Sequence, residues 1–401
     1  MKHICKSAVL AASVLSLIGL PQAQAADKKL KVYILAGQSN MEGAGQLRVF
    51  DYMKEKPETR ELYHEMKDSD GQYKIIDNTW ISFLTGERGR LDGPNREVHG
   101  PLTAGYGSQC SRDYNKPVGD RIGPELAFGI TVQKKYDQPI LLIKTAWGGQ
   151  SLHTNFRSPS SGPWSTDPDW ETGARYRQMI EHVRNVLKDP KRVCPAYEGQ
   201  GCELAGFVWF QGWNDLVDGK VYPDRDKEGG FDNYSKWLAN FIRDVRKDLN
   251  APGLPFVIGV IGNGGPEDLL EDRDKIVHLL FRKAMAAPAA MPEFKGNVFA
   301  VETAPFWDRR LGAIDKKKGE AGNKEYVLKI KHHDHENADG KMSDEDIAKF
   351  MKAYREKLFT KEDLELDQRA IADSSLHYLG SPAIYSLIGQ AFAEALIDND
   401  K

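Results

Sequence analysis

Cysteine is scarce in this chain: it has four in 401 residues, and one of them, Cys5, lies in an N-terminal leader. This scarcity excludes the disulfide-dense class of small secreted domains. The other three have neither C-x-x-C spacing nor accompanying histidines, which argues against a zinc site. Cys194 and Cys202 flank a loop that contains proline and glycine. We predict that these two form a disulfide, whereas the sequence identifies no partner for Cys110.

Long apolar runs and an excess of charge are also missing. Beyond the leader no segment reaches the length that crossing a bilayer requires. The net charge of −3 becomes −5 when Lys2 and Lys6 are removed with the leader, so nothing suggests a surface for nucleic acid. With 40% hydrophobic residues, the chain can bury one large core. We predict a single domain over residues 26–401, with insertions at about 45–120 and 307–370.

The leader, residues 1–25, has the pattern of a secretory signal peptide. Two lysines precede an apolar run from Ala8 to Leu20, and a small-x-small site follows at Ala23-Gln24-Ala25. This pattern predicts cleavage after Ala25 and a secreted or periplasmic protein.

Five apolar runs alternate with helical patterns along the chain. They begin near Val32, Pro139, Ala205, Leu254 and Asn297. The alternation predicts a three-layer α/β/α sandwich with a five-stranded parallel sheet and long surface insertions. A shorter candidate strand, Asn78–Phe83, lies in the first insertion. The first run becomes abruptly polar at Ser39. Because ligands of parallel sheets bind beyond the carboxyl ends of the strands, Ser39 is the first candidate nucleophile.

Two further strand ends supply residue types that suit acyl transfer. The second predicted strand ends at Gly148 and Gly149, and the third is followed by Asn214. Glycine N–H groups and an asparagine side chain are suitable donors to an oxyanion. His377, just before the last predicted helix, is our candidate for the general base.

Four short blocks carry a resemblance to a known family. They are Gly37-Gln38-Ser39-Asn40-Met41, Ala146-Trp147-Gly148-Gly149-Gln150-Ser151-Leu152, Phe210-Gln211-Gly212-Trp213-Asn214-Asp215 and His377-Tyr378-Leu379-Gly380. With these blocks in this order, the chain resembles the SGNH hydrolases, specifically the sialate O-acetylesterase-like (acetylxylan esterase-like) carbohydrate esterases. The resemblance implies a flavodoxin-like fold and removal of O-acetyl groups from oligo- or polysaccharides without a metal or other cofactor.

The resemblance also implies roles for individual residues. Ser39 would attack the acetyl carbonyl and His377 would take its proton. The oxyanion would be held by the Ser39 N–H, by the N–H of Gly148 or Gly149, with Gly149 preferred, and by the Asn214 side chain. Four neighbours in the same blocks are predicted to contact substrate: Gln38, Asn40, Gln211 and Trp213.

Two positions depart from the family pattern. Trp213 stands where the family often has a glutamate. The family's aspartate precedes the histidine by three residues, but that position is Ser374 here, and Asp373 lies one residue earlier. Either Asp373 reaches His377 through a bulged loop, or the site is a Ser-His dyad.

Three alternatives remain open on the sequence. One is a carbohydrate-binding protein without activity, whose tryptophans would stack on sugars: Trp147, Trp164, Trp170, Trp213 and Trp307. Another is a lipase or thioesterase on the same scaffold. The third is a calcium loop over residues 335–346, close to His332 and His333.

Overall fold

The structure is a computed structural model that describes residues 28–86, 95–108, 119–164, 172–331 and 334–399. The predicted signal peptide and Cys110 lie outside these residues. The strands are β1 Leu30–Gly37, β2 Gly45–Gln46, β3 Thr79–Thr85, β4 Arg96–Pro101, β5 Arg121–Ile122, β6 Ile140–Ala146, β7 Cys202–Phe210, β8 Phe256–Val260 and β9 Val298–Glu302. The helices are α1 Ser39–Glu42, α2 Pro57–Met66, α3 Glu125–Lys135, α4 Ala174–Lys188, α5 Trp213–Val217, α6 Asp232–Asp248, α7 Asp272–Ala286, α8 Arg309–Tyr326, α9 Asp344–Leu358, α10 Lys361–Ala370 and α11 Pro382–Ile397.

The main sheet has seven strands among the described residues, in the order β4-β3-β6-β1-β7-β8-β9. All neighbours are parallel except β3 and β4, which pair antiparallel. The predicted α/β class is confirmed, but five strands was too few. The sheet gains β3, the candidate strand of the first insertion, and the polar edge strand β4. An edge strand of this kind lacks the apolar run that identifies a buried strand.

The five predicted strands are consecutive in the sheet, in the order β6-β1-β7-β8-β9. This is the doubly wound order 2-1-3-4-5, in which ligands bind where the strand order reverses, beside the first strand. In the register, Gly37 at the end of β1 lies opposite Ala146 on one side and Phe210 on the other. A Cβ at Gly37 would lie 2.1 Å from the Phe210 carbonyl oxygen, so only glycine fits there. Three strands therefore end at the same level.

Helices cover both faces of the sheet, as consecutive aromatic residues of β7 show. The Trp209 ring packs 4.4 Å from Phe241 of α6, and the Phe210 ring packs 5.3 Å from Phe392 of α11. Because successive side chains of a strand point to opposite faces, α6 and α11 lie on opposite sides. The three-layer sandwich is thus observed directly. In the described part of the chain, no helix has the length and apolarity needed to cross a bilayer.

Three helices, α8 to α10, occupy the second predicted insertion. Two ion pairs join α8 to α10: Lys317–Asp363 (2.7 Å) and Lys318–Asp367 (2.8 Å). A small apolar cluster of their own contains Ala321, Leu328, Ile347 and Met351.

The segment considered as a calcium loop serves to cap α9. Asp346 and Ser343 form its reciprocal capping box, and the Asn337 side chain bonds to the Leu328 carbonyl and the Met342 N–H. In the residues that the structure describes, no three His, Cys, Asp or Glu side chains converge as a metal site would require. His332 and His333 lie outside those residues.

Cys194 and Cys202 are free thiols in this structure and not the predicted disulfide. Cys194 is buried, and Cys202 begins β7 half-buried. Burial raises the pKa of the Cys194 thiol to about 11, and the nearby Cys202 thiol adds to that increase. A raised pKa disfavours the reactive thiolate, so these cysteines are not a poised redox pair.

We expect oxidised glutathione at alkaline pH to join Cys194 to Cys202, because the two thiols are close to each other and alkaline pH supplies thiolate. Both cysteines lie in one tryptic peptide, residues 193–220, so mass spectrometry without reduction would show this peptide lighter by two hydrogen atoms. Cys202→Ser is the control, in which this internal disulfide cannot form. An oxidised wild type whose peptide keeps its reduced mass would contradict the predicted pairing.

Candidate active site

The candidate nucleophile lies where β1, β6 and β7 end together. Ser39 is the first residue of α1, directly after β1, and is partly exposed. Gly148 lies beside it, since a Cβ at Gly148 would be 3.8 Å from the Ser39 Cβ. The Asn214 side chain reaches the same place and donates from Nδ2 to the Gly149 carbonyl at 3.1 Å. The structure therefore brings together four of the predicted site residues.

Gln38 fixes the orientation of Asn214. Its Nε2 donates to Asn214 Oδ1 at 2.9 Å, while its Oε1 accepts from the N–H groups of Gly212 (3.1 Å) and Asn214 (3.3 Å). Because the Asn214 oxygen is occupied by Gln38, the amide nitrogen faces the Gly149 turn. Gln38 itself is 1% exposed.

A second layer of buried polar groups lies below Gln38. Gln211 donates from Nε2 to Gln38 Oε1 (3.2 Å) and to Asp215 Oδ2 (2.7 Å). The Asp215 carboxylate also accepts from the Leu152 N–H (2.8 Å) and from the Tyr222 hydroxyl (2.8 Å). Since buried polar groups are costly unless paired, this network favours one arrangement of the loops after β6 and β7.

The candidate base is carried by a 3-10 segment, Ser375–Gly380, before α11. His377 Nδ1 lies 3.2 Å from Asp373 Oδ1. Burial by itself would raise the pKa of Asp373, but hydrogen bonds from His377 and from the Ser374 N–H outweigh it and lower that pKa. The carboxylate is therefore ionised at neutral pH and able to orient the imidazole.

A strained turn brings Asp373 back to the histidine. Tyr378 and Leu379 have φ values of 48° and 62°, in the left-handed region that non-glycine residues seldom adopt. The turn is closed by hydrogen bonds from the N–H groups of Ala372 (2.8 Å) and Asp373 (3.1 Å) to the Leu379 carbonyl. The buried Tyr378 hydroxyl accepts from the Gly262 N–H at 2.8 Å, which anchors the turn to the loop after β8. This is the bulged loop that the sequence left as one of two possibilities.

Two asparagines tie the histidine segment to the rest of the site. Asn40 and Asn263 both donate from Nδ2 to the Leu376 carbonyl, at 3.1 and 2.6 Å. Asn40 Oδ1 accepts from the Tyr385 hydroxyl at 2.9 Å. Asn40, which directly follows Ser39, thereby holds Leu376, which directly precedes His377.

These contacts correct part of the predicted substrate surface. Gln38, Asn40 and Gln211 are 1%, 2% and 0% exposed, and their side chains bond to the protein. They position the site and do not face substrate. Trp213 is half-buried at the rim, where its ring packs 6.4 Å from that of His278.

The other tryptophans considered as sugar platforms are less accessible or not described. Trp147 and Trp307 are buried, at 3% and 7% exposure, and Trp164 is half-buried. Trp170 lies outside the described residues. Of the five, Trp213 is the one that directly adjoins Asn214.

The donors available to an oxyanion include backbone N–H groups of the nucleophile turn and of the two glycines. Within the described ranges, the N–H groups of Ser39, Gly148 and Gly149 have no acceptor, and Ser39 Oγ makes no hydrogen bond. The Glu42 carboxylate lies against Gly148, with its Oε2 3.1 Å from the place that a Gly148 Cβ would take. Gly149 has a φ of 72° and open space in front of its Cα. This arrangement suits a site that receives negative charge from a ligand.

Comparison with known proteins shows which family this chain resembles. The model of the family described as carbohydrate esterase, sialic acid-specific acetylesterase, matches residues 96–291. Over these residues the chain is similar to that family. The match includes Gly148, Gly149 and Asn214, while Ser39 and His377 lie on either side of it.

Individual relatives of this chain are distant. A probable carbohydrate esterase from Arabidopsis thaliana is 25% identical over 249 residues, which cover 61% of this chain and 74% of the relative. A solved Arabidopsis thaliana protein is 19% identical, covering 69% of this chain and 86% of its own, with a TM-score of 0.36. A carbohydrate acetylesterase from Xanthomonas citri is 15% identical, with shares of 68% and 49% and a TM-score of 0.38. NanS is 14% identical, with shares of 69% and 78% and a TM-score of 0.37.

The sequence did not point to a buried ion pair that supports the turn carrying Ser39. Lys144 Nζ donates to Glu125 Oε2 (2.7 Å), to the Glu42 carbonyl (2.7 Å) and to the Tyr106 carbonyl (2.8 Å). All three ammonium protons are satisfied, which a fully buried lysine requires. The sequence feature that could have revealed this ion pair is Lys144 itself, a charged residue within the mostly apolar strand β6.

Proposed function

We propose that this protein is a carbohydrate esterase, an exported serine enzyme that removes O-acetyl groups from acetylated oligo- or polysaccharides through an acetyl-enzyme. The observation that carries the proposal is the contact of His377 Nδ1 with Asp373, on a segment that Asn40 ties to the Ser39 turn. A nucleophile, an oriented base and unoccupied N–H donors together suit acyl transfer. The leader predicted over residues 1–25 directs the export.

In the first half of the reaction, Ser39 Oγ attacks the acetyl carbonyl carbon while His377 Nε2 takes the hydroxyl proton. The ring nitrogen that faces Asp373 keeps its proton, which leaves Nε2 free to act as the base. The hydrogen bond between Ser39 and His377 forms as substrate binds, since such contacts are often long before that. The N–H groups of Ser39 and Gly149 and the Asn214 amide receive the oxyanion.

The first half ends when the bond to the sugar oxygen breaks and His377 returns the proton to that oxygen, which leaves the acetyl group on Ser39. In the second half, water attacks the acetyl carbonyl while His377 takes a proton from it. The bond to Ser39 Oγ then breaks, His377 returns the proton to Oγ, and acetate leaves. Each step uses the same donors for the oxyanion, so their geometry stabilises both tetrahedral intermediates.

Acetate release tests this function. We expect the purified protein to release acetate from p-nitrophenyl acetate and from acetylated xylan or acetylated sialic acid. For the p-nitrophenyl octanoate ester, kcat/KM is expected to be at least about tenfold lower, as the proposed specificity for acetyl groups requires. A preference for octanoate would favour a lipase or thioesterase. Sugar binding without acetate release would favour the carbohydrate-binding alternative.

A further inference from the structure

A buried side chain fixes the direction of the N–H group that the turn after β6 offers to the oxyanion. Gln150 is 4% exposed, and its Nε2 donates to the Gly148 carbonyl at 3.1 Å. That carbonyl and the Gly149 N–H belong to one planar, trans peptide unit, so the two groups point in opposite directions. The hydrogen bond from Gln150 therefore keeps the Gly149 N–H pointing away from the Gln150 side chain.

The next two carbonyls of the same turn are held in the same way. The Gly149 carbonyl accepts from Asn214 Nδ2 at 3.1 Å, and the Gln150 carbonyl accepts from Gln211 Nε2 at 3.1 Å. Three consecutive carbonyls thus each accept a hydrogen bond from a side-chain amide. Since Gly149 has a φ of 72°, the backbone also bends sharply between them. The turn is built to keep one orientation of its peptide groups.

Arg175 of α4 in turn holds the Gln150 side chain. Its Nε donates to Gln150 Oε1 at 3.1 Å, and its Nη1 donates to Asn95 Oδ1 (3.1 Å) and to Gln178 Oε1 (2.8 Å). The guanidinium carbon lies 4.9 Å from the centroid of the Trp147 ring. Burial lowers the pKa of Arg175 to about 10, which leaves it charged at neutral pH. A planar guanidinium with these partners fixes where Gln150 Oε1 can lie.

We propose that Gln150 and Arg175 are positioning residues of the oxyanion site: Arg175 orients the Gln150 amide, and that amide aims the Gly149 N–H at the oxyanion. This inference rests on the proposed function. The hydrogen bonds run in one direction, from the guanidinium to the side-chain amide to the peptide group. Because each bond in such a chain polarises the next, the charge of Arg175 strengthens Gly149 as a donor. Both side chains are buried, so they act through the turn and not on substrate.

Substitution by methionine tests this role. Gln150→Met keeps the length of the side chain and removes both of its hydrogen bonds. We expect kcat for p-nitrophenyl acetate to fall about tenfold to a hundredfold with KM within about twofold, because the oxyanion exists only beyond the ground state. The assays use a temperature at which circular dichroism shows each variant to be folded. A merely structural role would leave kcat of the folded protein unchanged.

Gln178→Met is the matched control, because it makes the same replacement at another glutamine that Arg175 contacts. Gln178 is half-buried on α4 and makes no described contact with the glycine turn. Its loss leaves Arg175 bonded to Gln150 and Asn95. We therefore expect this control to keep kcat within about twofold of the wild type.

An NMR measurement observes the peptide unit itself without relying on activity. The protein is labelled with glycine that carries ¹³C at the carbonyl and ¹⁵N at the amide. An HNCO experiment, which correlates each amide with the preceding carbonyl, then detects only consecutive glycines. The chain has three such pairs: 148–149, 229–230 and 264–265. The signal that is missing in Gly149→Ala identifies the first pair, and the other two serve as internal references.

Arg175→Lys is the informative variant for this signal, because it is distant in sequence and keeps the positive charge. We expect it to move the Gly148 carbonyl signal upfield, since Gln150 then holds that carbonyl less firmly, whereas Gln178→Met leaves the signal in place. A signal unmoved in both Arg175→Lys and Gln150→Met would overturn the proposal. So would an active wild type matched in kcat by Gln150→Met, or an equal loss of kcat in Gln150→Met and Gln178→Met.

The proposed function fails separately from this inference. A wild type that releases no acetate would overturn the proposed function, and the Gly148 carbonyl signal would still decide whether Gln150 and Arg175 hold the turn.

Discussion

Replacing Ser39 by alanine is expected to lower kcat for acetyl-ester hydrolysis by about 10⁴- to 10⁶-fold, the range found when a serine hydrolase loses its nucleophile. The residual rate would come from the oxyanion donors, which remain in place. Stability should not change, because Ser39 Oγ makes no hydrogen bond in the described part of the chain and the side chain is partly exposed. The rate of p-nitrophenol release from p-nitrophenyl acetate measures kcat, and thermal unfolding of the same samples measures stability.

A covalent readout accompanies this substitution. In rapid-quench samples of the wild type, mass spectrometry should find an acetyl group on the peptide that contains Ser39, and none in Ser39→Ala. Ser160→Ala is a suitable control, because Ser160 is exposed and bonds to Asp244 of α6. Activity of Ser39→Ala close to that of the wild type, or an acetyl group on another residue, would rule out Ser39 as the nucleophile.

The sequence was sufficient to predict five strands of the main sheet, because these strands are apolar runs that stop at glycine or polar residues. Ser39, Gly148 and Asn214 follow such stops, and the register that places Gly37 opposite Ala146 and Phe210 brings them together. The edge strand β4 was not predicted, since its residues are mostly polar and only pairing with β3 makes them a strand. A strand identified by its partner has no local signature.

Side-chain roles were harder to predict than positions. Gln38 and Gln211 lie in the blocks of the resemblance, but they are 173 residues apart and their contact depends on the pairing of β1 with β7. The left-handed conformations of Tyr378 and Leu379 have no sequence signal either, because neither residue favours a positive φ.

Whether the site is a triad or a dyad is decided by Asp373→Asn. Here we expect kcat to fall by about 10³- to 10⁴-fold with little change in KM, as happens when the orienting aspartate of a serine hydrolase becomes an amide. The Asp373 carboxylate lies 3.2 Å from His377 Nδ1 and has a lowered pKa, so it is charged across the neutral range. An asparagine NH₂ in its place would donate to Nδ1 and so favour the tautomer in which Nε2 carries the proton and cannot accept one from Ser39.

Ser374→Ala is the informative control, because position 374 is where the family usually has its aspartate. The Ser374 hydroxyl makes one long hydrogen bond, of 3.4 Å, to Asp373 Oδ1, so its loss should change kcat by no more than about threefold. If Asp373→Asn and Ser374→Ala were equally active, the site would be a Ser-His dyad, and the strained turn at Tyr378 would serve only to place the imidazole. If Asp373→Asn alone is impaired, the turn compensates for the shifted aspartate by folding it back onto the ring.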